Sequence, residues 1–326
     1  MSVPPHTVIY THGGGRMGNQ VMRFLHWIAW ARAHAGEVEV INFAFWPFAK
    51  FFERWCKHPG CVYPIRAGLP DRLAQWHASS PDWLRACGDA RSALPRAVQG
   101  MGQWRPGWQA IELDIRAGER LDLEDLDFLR RVRRRRITTC CGWEIASWQL
   151  VAEQSSELRR LFLPAAQFKR PADEFIARLR GHHDFLIGVM IRQSDYRVWN
   201  GGRFYFSTER YVEWIRQVVA LHPDRRVAVV VASEEWQDPA AFQGLPVHMA
   251  TGNPRSDGHW FEKWVELSLC DVVVSPPSTF SATAAFLGQI PLWPVVAATQ
   301  VMDPGQVIPD GLVGAARHPV FSEVVK

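Results

Sequence analysis

The chain has 326 residues, of which 47% are hydrophobic and 21% are charged. These values are typical of a soluble globular protein with room for two domains. The net charge of +4 is too small to indicate a nucleic-acid partner. No apolar run approaches the roughly 18 residues that a membrane helix requires, and the first residues lack a signal-peptide pattern.

The six cysteines follow no spacing that is typical of a zinc site or of a secreted disulfide scaffold. They are Cys56, Cys61, Cys87, Cys140, Cys141 and Cys270. We therefore expect reduced thiols and a cytoplasmic location.

The N-terminal region begins with the strand, loop, helix and strand order of a parallel sheet. We expect a strand at 7–10, a glycine-rich loop at 13–20, a helix from 21 to about 35 and a second strand at 38–43. A less regular stretch follows, roughly 46–150, which is rich in Trp, Pro and Arg. It contains helical patterns at 68–78 and 121–134. We assign all of this to an N-terminal domain, residues 1–180, with an irregular helical insertion.

The strongest block of charge lies at the end of the second of these helical patterns. One interpretation is a solvated helix end, because cations suit the C-terminal end of the helix dipole. The other is contact with an anionic acceptor or, peripherally, with a membrane surface. The six arginines concerned are Arg130, Arg131, Arg133, Arg134, Arg135 and Arg136.

The C-terminal domain, residues 181–326, alternates predicted strands and helices, as a parallel sheet requires. Ser207 is suited to cap the first of these helices. We expect strands at 185–191, 227–231, 247–249, 271–274 and 290–296, and helices at 207–221, 258–269 and 282–287.

The glycine-rich loop contains Gly13, Gly15 and Gly18, which match the G-x-G-x-x-G pattern of dinucleotide-binding proteins. That pattern also requires an acidic residue at the end of the second strand. Residues 42–45 read Asn-Phe-Ala-Phe instead, which weakens an NAD(P) oxidoreductase hypothesis. The loop still presents amides at a helix N-terminus, an arrangement that favours an anion. A tight turn with a purely structural role is the alternative.

An arginine follows the apolar strand at 185–191 directly. Ligands of open parallel sheets bind beyond the carboxyl ends of the strands, and the planar guanidinium of Arg192 suits a phosphate. The structural alternative is that Arg192 pairs with Asp195 or with another carboxylate. The hydroxyl-rich segment 275–281 lies between a strand and a helix, and with Arg192 it would form a pyrophosphate cradle.

Four segments resemble, in family order, the motifs of the GDP-fucose-dependent fucosyltransferases, especially the α-1,2 type with the related α-1,6 type. Residues 190–196, Met-Ile-Arg-Gln-Ser-Asp-Tyr, are similar to the motif His-x-Arg-Arg-Gly-Asp-Tyr. Residues 233–236, Ser-Glu-Glu-Trp, resemble Ser-Asp-Asp-x-x-Trp. Residues 269–281 resemble Cys-Asp, a short apolar run and Ser-Asn-Ser-(Ser/Thr)-Phe-Ser, and residues 15–20 resemble the Gly-x-Gly-Asn-Gln loop.

The resemblance implies an α/β, GT-B-like fold in which two Rossmann-like domains face a cleft that holds the donor. It implies that Arg192 binds the β-phosphate of GDP, while Asp195 either orients Arg192 or abstracts a proton. Inverting, metal-independent transfer of fucose, with GDP-fucose as donor and no cofactor, follows from the same resemblance. The implied donor-binding residues are Gly15, Gly18, Asn19, Gln20, Tyr196, Ser233, Glu234, Ser278, Thr279, Phe280 and Ser281.

The residues do not identify a general base for the acceptor hydroxyl. His12, beside the glycine-rich loop, is a candidate, although a structural histidine is the more common case. Arg203 and Tyr205, in the loop after the central motif, are candidates for acceptor contact. We expect the acceptor to be a glycan, such as a polysaccharide or a lipid-linked oligosaccharide. An alternative is a nucleotide-sugar-binding protein without activity, since Met190 replaces the family histidine.

Overall fold

The computed structural model describes residues 5–57, 61–65, 88–114, 119–309 and 311. The chain divides into two compact units, Met1–Leu163 and Pro164–Lys326. The predicted domain boundary after residue 180 differs from this division, which places residues 164–180 in the second unit. There the ring of Phe168 packs against those of His259 at 4.7 Å and Phe261 at 5.4 Å.

The first unit is built on a five-stranded sheet. Its strands are β1 (His6–His12), β2 (Val38–Asn42), β3 (Val62–Tyr63), β4 (Trp108–Glu112) and β6 (Ile137–Cys141), in the order β3-β2-β1-β6-β4. All neighbouring pairs are parallel except β2 and β3. Two short strands, β5 (Leu121–Asp122) and β7 (Ile145–Ala146), pair separately.

The helices of the first unit follow the predicted pattern at its start and depart from it later. They are α1 (Met17–Ala33), α2 (Glu53–Lys57), α3 (Gly88–Trp104), α4 (Leu126–Arg133), α5 (Trp148–Glu153) and α6 (Ser155–Leu161). The predicted helix at 121–134 is wrong in its first turn. The carboxylate of Asp125 accepts from the Asp127 amide at 2.8 Å and caps the helix there. The predicted helix at 68–78 lies outside the described residues.

The second unit holds a five-stranded sheet in which every pair is parallel. Its strands are β8 (Phe185–Ile191), β9 (Val227–Ser233), β10 (Val247–Met249), β11 (Val272–Ser275) and β12 (Leu292–Pro294), in the order β10-β9-β8-β11-β12. The helices are α7 (Ala166–Arg180), α8 (Thr208–Ala220), α9 (Glu262–Ser268) and α10 (Thr279–Gly288).

Local sequence explains two features of the second unit. The predicted cap of α8 is confirmed, because the Ser207 hydroxyl accepts from the amide of Arg210. β8 is the central strand and buried on both faces, as its apolar run predicts. A side chain at Gly188 would approach Leu267 Cδ2 to 2.8 Å, so the glycine lets α9 pack closely on the sheet.

Within the described residues, no helix combines the length and apolar character needed to cross a bilayer.

Candidate functional site

The carboxyl edge of the second sheet gathers the polar segments that the sequence analysis singled out. Ile191 of β8 pairs with Ser233 of β9, and β11 lies on the other side of β8 and ends at Ser275. The segments that follow these three strands therefore start side by side. Arg192 directly follows the central strand, β8, so it starts between the ends of β9 and β11. This edge is where an open parallel sheet binds ligands.

Arg192 is buried and its fork is shared between two carboxylates. Only 7% of the residue is exposed. Its Nη1 donates to Glu234 Oε1, and its Nη2 donates to both carboxylate oxygens of Asp195, at 3.0 and 3.2 Å. The guanidinium also stacks on the ring of Tyr196, 4.7 Å from the centroid. The ion pair that is the structural alternative to phosphate binding is thus present in the structure.

The ion pair leaves the guanidinium some capacity for a ligand. The Nε of Arg192 is buried and has no hydrogen-bond partner among the residues that the structure describes. The Asp195 side chain is 43% exposed, whereas that of Glu234 is only 17% exposed. Asp195 therefore lies nearer to solvent than Glu234 does. Its two hydrogen bonds to Arg192 Nη2 are compatible with an orienting role, and which of its two expected roles it has stays a prediction.

Ser194 and Tyr196 connect Arg192 to the neighbouring strands. The Ser194 hydroxyl lies 3.1 Å from Asp195 Oδ1 and 2.8 Å from Glu234 Oε2. The phenol of Tyr196 donates to the carbonyl of Pro277, in the loop after β11. Burial raises the pKa of Tyr196 to about 12, so the phenol keeps its proton and remains a donor at neutral pH. The hydrogen bonds of Ser194 and Tyr196 thus connect the loop that carries Arg192 to the loops after β9 and β11.

The predicted pyrophosphate cradle after β11 is only partly available to a ligand. Ser275 and Ser281 are fully buried, and their hydroxyls lie 2.6 Å apart and bond to each other. They support the loop rather than face a ligand. Ser278 is the N-cap residue of α10 and its side chain makes no capping bond, while Thr279 and Phe280 are half-buried. The amides at the start of α10, a ten-residue helix, remain suited to an anion.

Ser233, the last residue of β9, and Gln193, in the loop after β8, also support the loops. Ser233 is fully buried, and its hydroxyl accepts from the amide of Glu235 and from Gln237 Nε2, both at 3.3 Å. Gln237 Nε2 further donates to Gln193 Oε1 at 3.0 Å. Gln193, which stands at an arginine position of the family motif, therefore braces the two loops from inside.

Three charged residues of α9 lie close to this edge, and the sequence analysis missed them. Glu262, Lys263 and Glu266 are all buried. The Lys263 ammonium donates to the Ser233 carbonyl at 2.5 Å, at the end of β9. Glu266 accepts from the Thr251 amide at 3.2 Å, and burial raises its pKa to about 7. Three charged residues in an otherwise apolar segment before a buried strand were the available signal, but they also describe the solvated face of an ordinary helix.

The glycine-rich loop of the first unit has a clear packing role. A Cβ at Gly13 would lie 1.5 Å from the Tyr10 hydroxyl, and one at Gly15 would lie 2.7 Å from the Trp143 ring. Gly15 also has a φ of +77°, which favours glycine. These contacts support the structural interpretation of the loop, although they do not conflict with anion binding.

The residues that follow the glycines open helix α1. Gly18 is buried in its first turn, and the N-cap residue Arg16 makes no side-chain capping bond. Gln20 Nε2 donates to the Gly14 carbonyl, and a Cβ on Gly15 would lie 2.2 Å from Asn19 Nδ2. Asn19 and Gln20 are therefore folded back onto the loop. Asn42, at the end of β2, is buried and accepts from the Phe45 amide at 3.0 Å, so no carboxylate stands there to hold a ribose.

The candidate base and acceptor residues lie in two places. His12 is at the carboxyl end of β1 in the first unit, and burial lowers its pKa, which keeps the imidazole neutral and able to accept a proton. Tyr205 accepts from Arg197 Nη1 at 3.0 Å, and the Arg203 guanidinium lies 5.1 Å from the Phe204 ring centroid. This loop of the second unit contains Asn200 and Gly201 at positive φ.

The arginine block is a solvent-exposed helix end with ion pairs. Arg130 and Arg133 lie in the last turn of α4. Arg133 makes a bidentate contact with Glu37, with its shortest bond at 2.7 Å, and Arg130 pairs with Asp127 at 2.5 Å. The helix-end interpretation accounts for this geometry. Contact of the block with a membrane stays a prediction.

The chain contains one Asp-x-Asp triplet, residues 125–127. Both carboxylates already have protein partners, since Asp125 caps α4 and Asp127 pairs with Arg130. Within the described part of the chain, no group of three or more His, Cys, Asp or Glu side chains is placed to hold a metal ion. Metal independence stays a prediction.

Comparison with solved structures identifies the fold. The fucosyltransferase NodZ from Bradyrhizobium is 16% identical, with a TM-score of 0.52 over 94% of this chain and 98% of that one. A mutant of Arabidopsis thaliana FUT1 in complex with GDP is 12% identical, with a TM-score of 0.51 over 94% and 74%. POFUT1 in complex with GDP is 13% identical, with a TM-score of 0.50 over 88% and 95%.

These likenesses show the fold. No family model and no curated protein matches the sequence. The predicted α/β, GT-B-like fold class is confirmed, and the chain shares it with GDP-fucose fucosyltransferases.

Proposed function

We propose that the protein is a glycosyltransferase that moves fucose from GDP-fucose to a hydroxyl group of a glycan. One observation carries the proposal. A buried guanidinium, Arg192, lies at the carboxyl end of the central strand in a unit that has the fold of fucosyltransferases. Sheets of this kind bind ligands at that edge, and the Arg192 fork matches the geometry of a diphosphate.

The reaction follows from charge development at the leaving group. The acceptor oxygen attacks the anomeric carbon of fucose, the bond from that carbon to the β-phosphate oxygen breaks, and GDP departs with the bonding electrons. Such a transition state is oxocarbenium-like. Arg192 and the amides at the start of α10 would stabilise the departing negative charge. A preorganised donor of this kind typically lowers the barrier by roughly 3–4 kcal/mol. Single displacement predicts inversion.

A base must accept the proton of the acceptor hydroxyl. Asp195 is held by Arg192, which makes it an orienting group first. His12 of the first unit stays a candidate, because burial lowers its pKa and so favours the neutral imidazole that a base requires. Arg203 and Tyr205 of the second unit stay candidates for contact with a glycan such as a polysaccharide or lipid-linked oligosaccharide.

The test is transfer from GDP-fucose to a panel of glycan acceptors, with UDP and ADP sugars as competing donors. We expect GDP release and a fucosylated product, and we expect Arg192→Ala to lose both. Arg226→Ala is the matched control, because Arg226 is an exposed arginine of the same unit that pairs with Asp184 just before β9 and β8 begin. It should keep activity.

Two results would change the assignment. If GDP-fucose stabilises the fold but is neither transferred nor hydrolysed, the protein is a nucleotide-sugar binder. That alternative is motivated by Met190, a fully buried thioether where the family motif has an imidazole. If no guanine nucleotide binds, the proposed donor is wrong.

A further inference from the structure

A second buried cation lies near Arg192, and the proposed chemistry does not use it. Lys263, in α9, is only 5% exposed, and its ammonium donates to the Ser233 carbonyl at the end of β9. Lysines are almost never fully buried unless they are paired. Glu234, the residue after Ser233, is bonded to Arg192 Nη1. The ammonium and the guanidinium are therefore both close to the start of the same loop.

The charges around Lys263 shift its pKa in opposite directions. Burial is the main cause that lowers its pKa, to about 8, and the nearby guanidinium of Arg192 lowers it as well. Glu234, at the end of β9, and Glu266, on the same helix as Lys263, raise it. Glu234 thus carries a negative charge that acts on two buried cations, on Arg192 through a hydrogen bond and on Lys263 through space.

A diphosphate at Arg192 would disturb this balance. Both terminal nitrogens of the guanidinium are occupied, Nη1 by Glu234 and Nη2 by Asp195. Asp195 can turn towards water because nearly half of it is exposed, but the Glu234 side chain is only 17% exposed. A displaced Glu234 would be a buried carboxylate beside an incoming anion, and burying an unpaired charge is costly.

We propose that Lys263 is a positioning residue for the donor, which takes over the Glu234 carboxylate when the diphosphate of the donor takes Arg192. The inference rests on the proposed function and names a residue that the motifs do not include. Ser194, whose hydroxyl donates to Glu234 Oε2, can follow the carboxylate as it moves. Before the donor binds, Glu234 neutralises the charge of Arg192. When the donor binds, Glu234 pairs with Lys263 instead, and Arg192 becomes available to the leaving diphosphate.

The exchange of partners should be accompanied by proton uptake. In the free protein, Lys263 is partly deprotonated near pH 8. When the diphosphate neutralises Arg192 and Glu234 turns to Lys263, the ammonium form is favoured, so the pKa of Lys263 rises and a proton is taken from solvent. Near pH 8 the uptake should approach about half a proton per GDP bound. GDP affinity should accordingly fall as pH rises through 8.

The test is calorimetric titration of the full chain with GDP at pH 8, in two buffers of different ionisation enthalpy. We expect proton uptake by the wild type, and we expect Lys263→Met to lose the uptake and to bind GDP at least tenfold more weakly at pH 7. Lys169→Met is the control, because Lys169 is an exposed lysine paired with Asp173. It should match the wild type in both respects.

The outcomes separate the two proposals. GDP binding without proton uptake by the wild type, or wild-type affinity in Lys263→Met, overturns the role of Lys263 and leaves the proposed function intact. The wild-type measurement decides the point even if Lys263→Met does not fold. Absence of GDP binding by the wild type between pH 6.5 and 9 overturns both.

Discussion

Arg192 and Glu234 follow a pair of residues, Ile191 and Ser233, that lie opposite each other on adjacent parallel strands. The register of β8 and β9 therefore places the guanidinium beside the carboxylate, and Nη1 donates to Oε1. The sheet itself, rather than a flexible loop, fixes the orientation of the candidate phosphate-binding group.

Tyr196→Phe should destabilise the protein and weaken GDP binding. The substitution removes the phenol that donates to the Pro277 carbonyl and joins the loop after β8 to the loop after β11. Leaving a buried acceptor unpaired costs about 1–3 kcal/mol. The measurements are denaturant unfolding and GDP titration. Tyr205→Phe, which loses only an exposed bond to Arg197, should stay near the wild type. Equal behaviour of the two variants would contradict the coupling of the loops.

Gly15→Ala should cost more stability than Gly36→Ala. Both glycines have positive φ, +77° and +87°, so both substitutions carry a similar backbone strain. Only at Gly15 would the added methyl group meet neighbouring atoms, since nothing lies within 4 Å at Gly36. Overpacking typically adds about 1–3 kcal/mol. The comparison is made by the free energy of unfolding. Equal losses would mean that the Trp143 contact does not constrain the loop.

The stability of the protein should fall as pH rises through 7, in part because of Glu266. Burial raises its pKa from 4.5 to about 7. A carboxyl whose pKa is raised on folding binds its proton more tightly in the native state. Its stabilising contribution is complete below pH 4.5 and is lost as pH rises through 7. At about 1.4 kcal/mol per pKa unit, the total is on the order of 3 kcal/mol.

Glu266→Gln should flatten this part of the profile, because the amide retains an acceptor for Thr251 and does not titrate. The measurement is Tm between pH 5 and 8. Glu213→Gln is the control, since Glu213 is a half-exposed partner of Arg210. An unchanged slope in Glu266→Gln would show that another group carries the pH dependence.

Transfer should be insensitive to EDTA. The positive charge that stabilises the departing diphosphate is supplied in our proposal by Arg192 and by the amides at the start of α10, which chelation does not remove. The measurement is the rate of GDP release with and without EDTA. Loss of activity that Mn²⁺ restores would reject metal independence.

The second unit was largely predictable from sequence. The apolar run at 185–191 was assigned as a buried strand with the bounds that the structure has, because a central parallel strand is apolar on both faces. The neighbouring strands and the cap at Ser207 followed from equally local signals. Since parallel strands end at one edge, the cluster of Arg192, Glu234 and the loop after β11 could also be expected.

The charged residues of α9 could not be predicted. Every residue of that seven-residue helix is buried, including Glu262, Lys263 and Glu266. Charged side chains usually indicate a solvent-exposed face. Here the helix packs against the sheet and against α7 and α10, and this packing excludes solvent from all of its side chains. The sharing of the Arg192 guanidinium between Glu234 and Asp195 likewise depends on tertiary structure, because it follows from how β8 and β9 pair. The sequence indicated Asp195 as one partner, whereas Glu234 was expected only among the donor-binding residues.

The most direct test of the central claim is calorimetric titration of GDP, without added metal, into the wild type, Arg192→Ala and Arg226→Ala. The proposed site predicts binding by the wild type and by Arg226→Ala, and loss of binding by a correctly folded Arg192→Ala. Wild-type affinity in Arg192→Ala would show that the buried guanidinium does not hold the diphosphate and would contradict the account.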